Sequence, residues 1–301
     1  MYEAFFGLNR NPFSMTPDPD FLFLTQSHRE ALAGLTYTVL ARKGFAVLTG
    51  DAGTGKTTLL NCLIAELSRS AAYFGWILNP LLTTSELLEM TLLDLGISEV
   101  PASKARRILE LNKFLLKADG EKKTTVLIID EAHKLDFELL EEIRLLTNFE
   151  SGAGKFLQII LAGQLELDDL IERDDLCQLK QRVAVRLTLS HLTGVSQVSD
   201  YISYRWQKSG GDRKTPFTGE AIELIERISR GIPRTINAIC DASLLYALAE
   251  IRHSVSGEMV RNVAGDLRLS ISPGSAADRP LVRSEAALVH STGALDREAG
   301  N

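Results

Sequence analysis

The sequence is poor in the features that mark secreted, membrane-spanning or broadly nucleic-acid-binding chains. Its 301 residues hold only three cysteines, Cys62, Cys177 and Cys240, with no C-x-x-C pair. That excludes a disulfide framework and a cysteine zinc site; all three read as small buried hydrophobes in a reducing compartment. No apolar run approaches the roughly 18 residues needed to cross a bilayer. The start, Met1-Tyr-Glu-Ala-Phe-Phe-Gly, lacks the basic-then-apolar pattern of a secretory signal. There is no positive excess: 33 Lys and Arg stand against 39 Asp and Glu, a net charge of −6. No global field therefore draws the chain onto nucleic acid or anionic lipid. A local patch at Lys104, Arg106 and Arg107 remains, and a solvated helix face accounts for it as readily. From Ile271 onward no Phe, Tyr or Trp occurs, so 271–301 is expected to be a flexible tail.

What is present is alternation. Phe45-Ala-Val-Leu-Thr, Tyr73 to Leu78, Thr125-Val-Leu-Ile-Ile, Phe156 to Ala162 and Ala184 to Leu189 are short apolar runs of strand length. Between them lie helical patterns: Ser27–Arg42, Lys56–Ser68, Thr84–Leu95, Ser103–Ala118 and Phe137–Phe149. Ser27 with Glu30 three residues on predicts a capping box. Residues 1–26, broken by Asn11-Pro-Phe and Thr16-Pro-Asp-Pro-Asp, predict an extended, packed arm. Strands alternating with helices predict an α/β fold with a parallel sheet covered on both faces. After about residue 192 the strands stop and four helical segments follow (194–209, 218–230, 233–252, 256–268). The expected division is 1–192 as an α/β nucleotide-binding domain with its arm, 193–270 as a small helical lid, and 271–301 as the tail.

The strongest motif is Gly50-Asp51-Ala52-Gly53-Thr54-Gly55-Lys56-Thr57, a match to G-x-x-x-x-G-K-[ST], running on into Thr58. The glycines let successive N–H groups face phosphates, and the helix that follows points its positive end at the same anions. Lys56 is a point charge for β- and γ-phosphate oxygens, and the Thr57 hydroxyl is a Mg²⁺ ligand. The motif follows an apolar strand and opens a helix, the context it requires. ATP and Mg²⁺ are the predicted ligands.

The run Val126-Leu-Ile-Ile-Asp-Glu-Ala-His ends a strand on two acids. In a parallel sheet, strand C-termini open onto one crevice. Asp130 is expected to hold Mg²⁺, directly or through water, and Glu131 to polarise the attacking water. His133 reads as a packed or capping side chain.

Together, the phosphate loop, Asp130-Glu131 and the helical C-terminal part resemble an AAA+ ATPase. Met1-Tyr-Glu with Phe6-Gly-Leu, Asn11-Pro-Phe, Pro17-Asp-Pro, Phe21-Leu and Gly44-Phe resembles, more narrowly, the general secretion pathway protein A-type ATPases. It is similar also to their relatives in polysaccharide export and exosortase systems. The resemblance covers about residues 1–268. It implies a P-loop NTPase sheet of AAA+ type with a helical lid. It implies further roles: Asn79 restraining the catalytic acid, or simply turning the chain before Pro80; Gln164 as sensor 1; Arg182 or Arg186 as an arginine finger reaching a neighbouring subunit; Arg234, in Gly231-Ile-Pro-Arg, as sensor 2. Adenine contact falls to Pro12 and Phe13 with His28, or else that part of the arm simply docks by hydrophobic packing.

The function implied is an ATPase that drives or regulates assembly of a bacterial secretion or polysaccharide-export machine. It would be a homo-oligomer, cytoplasmic, and peripheral at the inner membrane through membrane-associated partners. A DNA-binding regulator of the transposition-ATPase type is the alternative, disfavoured by the acidic charge. A nucleotide-gated adaptor that barely hydrolyses ATP is disfavoured by the intact pair of acids. Family members continue into a membrane span and a peptidoglycan-binding region, neither of which is seen before Asn301.

Overall fold

In the computed structural model, the described residues are 1–68, 72–151 and 154–269; the tail expected at 271–301 lies outside them. Elements run in the order α1 (Glu3–Phe6), α2 (Gln26–Leu40), β1 (Phe45–Gly50), α3 (Lys56–Leu67), β2 (Ala72–Ile77), α4 (Thr84–Asp94), α5 (Lys104–Gly120), β3 (Thr124–Ile129) and α6 (Phe137–Leu146). A two-strand hairpin, β4 (Glu150–Ser151) and β5 (Gly154–Lys155), precedes β6 (Leu157–Ala162), α7 (Glu166–Ile171), α8 (Cys177–Lys180) and β7 (Val185–Leu189). Among the described residues four helices follow: α9 (Gly194–Lys208), α10 (Gly219–Ser229), α11 (Pro233–Ala249) and α12 (Gly257–Asp266).

Five strands form one parallel sheet in the order β2-β3-β6-β1-β7. Side chains alternate across a strand, and here both faces are apolar. Phe45, Val47, Leu127, Ile129, Leu157, Ile159 and Leu161 share a core with α4, α5 and α6. Their neighbours Ala46, Leu48, Val126, Ile128, Ile160 and Ala162 share the other core with α2 and α3. That is why these strands read as unbroken apolar runs: each residue is buried on one side or the other.

Local signals account for most helix ends. Thr83 and Glu86 form a reciprocal capping box on α4. The box predicted at Ser27 is not formed. Thr25 is the N-cap of α2, its hydroxyl accepting the His28 N–H. Ser27 Oγ accepts the Ser190 N–H at 3.3 Å instead, so its hydroxyl serves a long-range contact. Cys177 is exposed, against expectation, because α8 is a single turn on the surface; Cys240 is buried and Cys62 half-buried.

The helices after β7 build a third core, and the N-terminal arm completes it. Tyr2, Leu8 and Phe13 are buried among residues of α9, α10, α11 and α12. Tyr2 Oη and Asn11 Nδ2 both donate to Asp241 Oδ1, at 2.5 and 2.9 Å. The arm is therefore not merely extended: it holds α1 and a 3-10 turn at Pro19–Phe21, and it crosses from the helical part back to α2.

Candidate nucleotide-binding and hydrolysis site

β1 delivers the phosphate loop at the C-terminal edge of the sheet, beside the ends of β3 and β6. Gly55 caps α3 in the left-handed region at φ 102°, and Lys56 begins the helix. Lys56 is buried, its Nζ donating to the carbonyls of Gly50 (2.6 Å) and Asp51 (3.0 Å). Burial lowers its pKa, against a raising effect from Asp130, Glu131 and Asp51. The loop thus carries an ammonium whose charge is costly until an anion meets it. Gly53 faces Arg234: a Cβ at residue 53, where φ is +85°, would lie 2.6 Å from Arg234 Cβ, and the Arg234 N–H donates to Gly53 O at 3.2 Å.

Thr57 Oγ1 donates to Asp130 Oδ2 at 3.1 Å. Two hard oxygen donors, one from α3 and one from the end of β3, stand together there. Among the described residues no cluster of three or more His, Cys, Asp or Glu is arranged for a metal. A pair of oxygens suits Mg²⁺, which keeps waters and phosphates in its shell. The residues present therefore fit the predicted ion. Asp130 Oδ1 also accepts the Glu131 N–H at 2.8 Å. Glu131 sits at φ 53°, a left-handed conformation costing about 1–2 kcal/mol for a side chain of this kind. Such strain concentrates at functional positions.

One cavity collects these groups. Its floor is Ala52 through Thr58 with Glu131; its roof is Leu192, Pro233, Arg234 and Asn237. The side wall comes from the arm, while Pro12 and Phe13 follow the second expectation for them, docking by hydrophobic packing. Pro12 and Phe13 are absent from the lining. Phe13 is fully buried against Phe217, edge to face at 5.9 Å, in the helical core. The wall is made by Ser14 to Asp18 with Phe21, Leu22 and Phe23, the stretch just beyond. His28 does line the cavity. Its Nε2 meets Thr54 O at 3.1 Å and its Nδ1 meets Thr25 Oγ1 at 2.6 Å. A carbonyl only accepts, so Nε2 carries the proton, and burial holds this ring's pKa below the usual imidazole value.

The other predicted residues are dispersed. Gln164, after β6, meets His133: its N–H donates to Nδ1 at 3.3 Å and its side-chain amide lies 3.2 Å from Nε2. Asn79 is exposed, its Oδ1 accepting the Leu81 N–H at 3.4 Å, a turn before Pro80. Glu131 pairs with Lys134 at 3.1 Å. Arg182 and Arg186 do not line the cavity. Arg182 donates to Thr147, to Asn148 Oδ1 and to the Arg144 carbonyl; Arg186 pairs with Glu172 at 2.7 Å. The basic patch is largely neutralised: Arg107 is buried and pairs with Glu89, and Lys104 pairs with Glu142.

Two contributors escaped the sequence reading. His191 Nε2 lies 2.6 Å from Asp51 Oδ2, tying the phosphate loop to the segment entering α9; nothing in the local sequence marks it. Arg205 lines the cavity and binds the carbonyls of Pro12 (2.6 Å) and Ser14 (3.4 Å). Its signal was available: Val198, Tyr201, Ile202, Arg205 and Trp206 share the buried face of α9, and an arginine at apolar spacing is an anomaly.

A five-stranded parallel sheet with a phosphate loop after β1, two acids after β3 and a helical unit roofing the loop defines the P-loop fold of the AAA+ class. A family model described as an AAA domain matches residues 40–171. General secretion pathway protein A of Aeromonas hydrophila is 38% identical over 274 residues, 90% of this chain and 48% of that protein. The chain thus spans about half the length of the curated relative it matches. Among solved structures, Cdc6p from Pyrobaculum aerophilum superposes with a TM-score of 0.68 at 19% identity, covering 85% of this chain and 70% of that one. The ORC2 protein of Aeropyrum pernix gives 0.64 at 18%, covering 86% and 72%. At these identities they speak for the fold alone. Residues 40–171 thus form an AAA domain of P-loop type, and the chain is similar over 90% of its length to general secretion pathway protein A.

Proposed function

We propose that the chain binds ATP with Mg²⁺ and hydrolyses it to ADP and phosphate. The observation that carries this reading is the contact at 3.1 Å between Thr57, which lines the cavity with Lys56 and Glu131, and the buried Asp130 behind it. Lys56 and the loop N–H groups from Gly50 to Thr58 hold the phosphates. Thr57 and Asp130 hold the metal, which when bound neutralises developing phosphate charge. Glu131 orients and polarises the attacking water. Gln164 contacts the terminal phosphate or that water, and Arg234 reaches the nucleotide from the helical unit. Residues 1–192 act as the nucleotide-binding domain and 193–270 as its lid.

Arg182 or Arg186 completes the site of a neighbouring copy, which makes the active form a homo-oligomer. Both lie outside their own chain's cavity, as an inter-subunit role requires. The similarity to general secretion pathway protein A supports a role in assembling a secretion or export machine, with docking to membrane-associated partners on the cytoplasmic side. Among the described residues no helix is long and apolar enough to cross a membrane.

The test is steady-state phosphate release with Glu131→Gln. Hydrolysis should fall by about 10²–10⁴-fold with ATP binding kept; an unchanged rate sinks the assignment. For the finger, subunits carrying Arg182→Ala or Arg186→Ala are mixed with Glu131→Gln subunits. The mixture recovers activity only if the arginine acts across the interface, because each inactive subunit then supplies what the other lacks.

A further inference from the structure

His133 sits in the 3-10 turn Ala132–Lys134 that Glu131 caps, facing the end of β6. Its Nδ1 accepts the Gln164 backbone N–H at 3.3 Å. Because Nδ1 accepts, the ring proton is on Nε2. That single N–H has two groups before it: the Gln164 side-chain amide at 3.2 Å and Glu131 Oε2 at 3.7 Å. A half-turn of the Gln164 amide presents its oxygen as the acceptor. Gly163 permits this close approach: a Cβ there would lie 3.1 Å from the His133 backbone nitrogen and 3.0 Å from Leu167 Cδ2. The ring is mostly buried, its side chain 12% exposed, so water competes little for the proton.

We propose that His133 is a positioning residue that passes the state of Gln164 to Glu131. The proposal rests on the reading of Glu131 as the water-polarising group and of Gln164 as facing the terminal phosphate. With the Gln164 amide oxygen turned to His133, the Nε2–H is taken. Glu131 is then left to the ammonium of Lys134, 3.1 Å away, a half-exposed pair of little strength. When Gln164 turns its amide toward a terminal phosphate, the Nε2–H is released. It then draws Glu131 Oε2 in from 3.7 Å to hydrogen-bond range, fixing the carboxylate for the attacking water. The proton stays on His133 throughout; one hydrogen bond is exchanged for another. Asn79, exposed and engaged with Leu81, takes no part in this exchange.

The test uses the full chain with His133→Ala, His133→Gln, Gln164→Ala and the double variant His133→Ala/Gln164→Ala, assayed for kcat and for ATP affinity. His133→Ala should lower kcat by ~10²-fold, the loss typical of a misplaced reacting group, and leave ATP affinity unchanged. His133→Gln, which restores an N–H donor near the Nε2 position, should recover most of the rate, which a merely structural ring would not allow. Gln164→Ala leaves the Nε2–H free for Glu131 at all times, so adding His133→Ala should slow that variant by about the same factor as it slows the unsubstituted chain. A wild-type kcat in His133→Ala, a Gln variant as slow as the Ala variant, or a His133→Ala change without effect in the Gln164→Ala background would each overturn the proposal. Glu131→Gln in parallel separates the two levels. If it hydrolyses normally, the underlying reading falls and this proposal with it. If it is inactive while His133→Ala is not, this proposal alone falls.

Discussion

Arg205 and Pro12 are 193 positions apart in sequence, yet the guanidinium Nε donates to the Pro12 carbonyl at 2.6 Å. The same side chain donates to Ser14 O at 3.4 Å and to Tyr201 Oη at 3.2 Å, and lies over the Phe21 ring at 4.6 Å. It fastens the arm to α9 just where the arm becomes the cavity wall.

Arg205→Ala should therefore cost about 2–3 kcal/mol, since charge-assisted hydrogen bonds are lost and buried carbonyls are left unpaired. ATP affinity should weaken too, because Ser14 to Asp18 lose their anchor. Chemical denaturation and nucleotide titration measure the two. Full ATP affinity in the variant would mean that the arm holds its place without this bond.

Gly231 and Gly265 make opposite predictions for the same substitution. A Cβ on Gly231 would meet Leu192 O at 1.9 Å, at a backbone φ of +72°. Gly231→Ala should destabilise by roughly 1–3 kcal/mol or more and displace the roof of the cavity, which includes Leu192 and Pro233. Gly265, inside α12, has nothing within 4 Å. Gly265→Ala should stabilise by about 0.5–1 kcal/mol. Thermal melts of the two variants check both signs.

Stability should fall as pH drops below neutrality, in part through His28. Burial lowers its folded-state pKa, while the unfolded chain titrates near the usual value of about 6.5. Below about 6.5 the unfolded chain therefore binds more protons, and stability is lost until the lowered folded pKa is reached; above 6.5 this contribution is flat. In His28→Gln the melting temperature should depend less on pH between about 5 and 7. An identical slope would show that other groups set the acid limit.

Removing Mg²⁺ with a chelator should abolish hydrolysis while leaving the fold intact, because Thr57 and Asp130 already hydrogen-bond each other. Thr57→Val and Asp130→Asn should raise the Mg²⁺ concentration needed for half-maximal activity. A Mg²⁺ titration with unchanged midpoints would remove these two residues from the metal site.

What the sequence made legible was whatever is periodic or contiguous. All five strands of the large sheet and helices α2 to α6 follow from apolar runs and 3.6-residue patterns, whereas the short α7 and α8 do not; the phosphate loop with Asp130-Glu131 follows from unbroken motifs. Where two local signals competed, the winner was set from afar: Ser27 resembles a cap, yet Ser190 claims its hydroxyl and Thr25 caps instead. The cavity wall slipped from Pro12 and Phe13 to Ser14–Asp18 for a similar reason. Phe217, from the loop before α10, buries the aromatic ring that a base was expected to meet. His133 looked structural because its two partners are Glu131, two residues before it, and Gln164, thirty-one residues after. No spacing rule joins those three.

The arm's place in the helical core has a temporal consequence. Tyr2, Leu8 and Phe13 are synthesised before the side chains that bury them: Phe217, beside Phe13, follows roughly 200 residues later. At ~5–20 residues per second, that is on the order of 10–40 s during which three large apolar residues have no native partner. The β-sheet can assemble in that interval; the wall of the nucleotide cavity has to wait for the last helices.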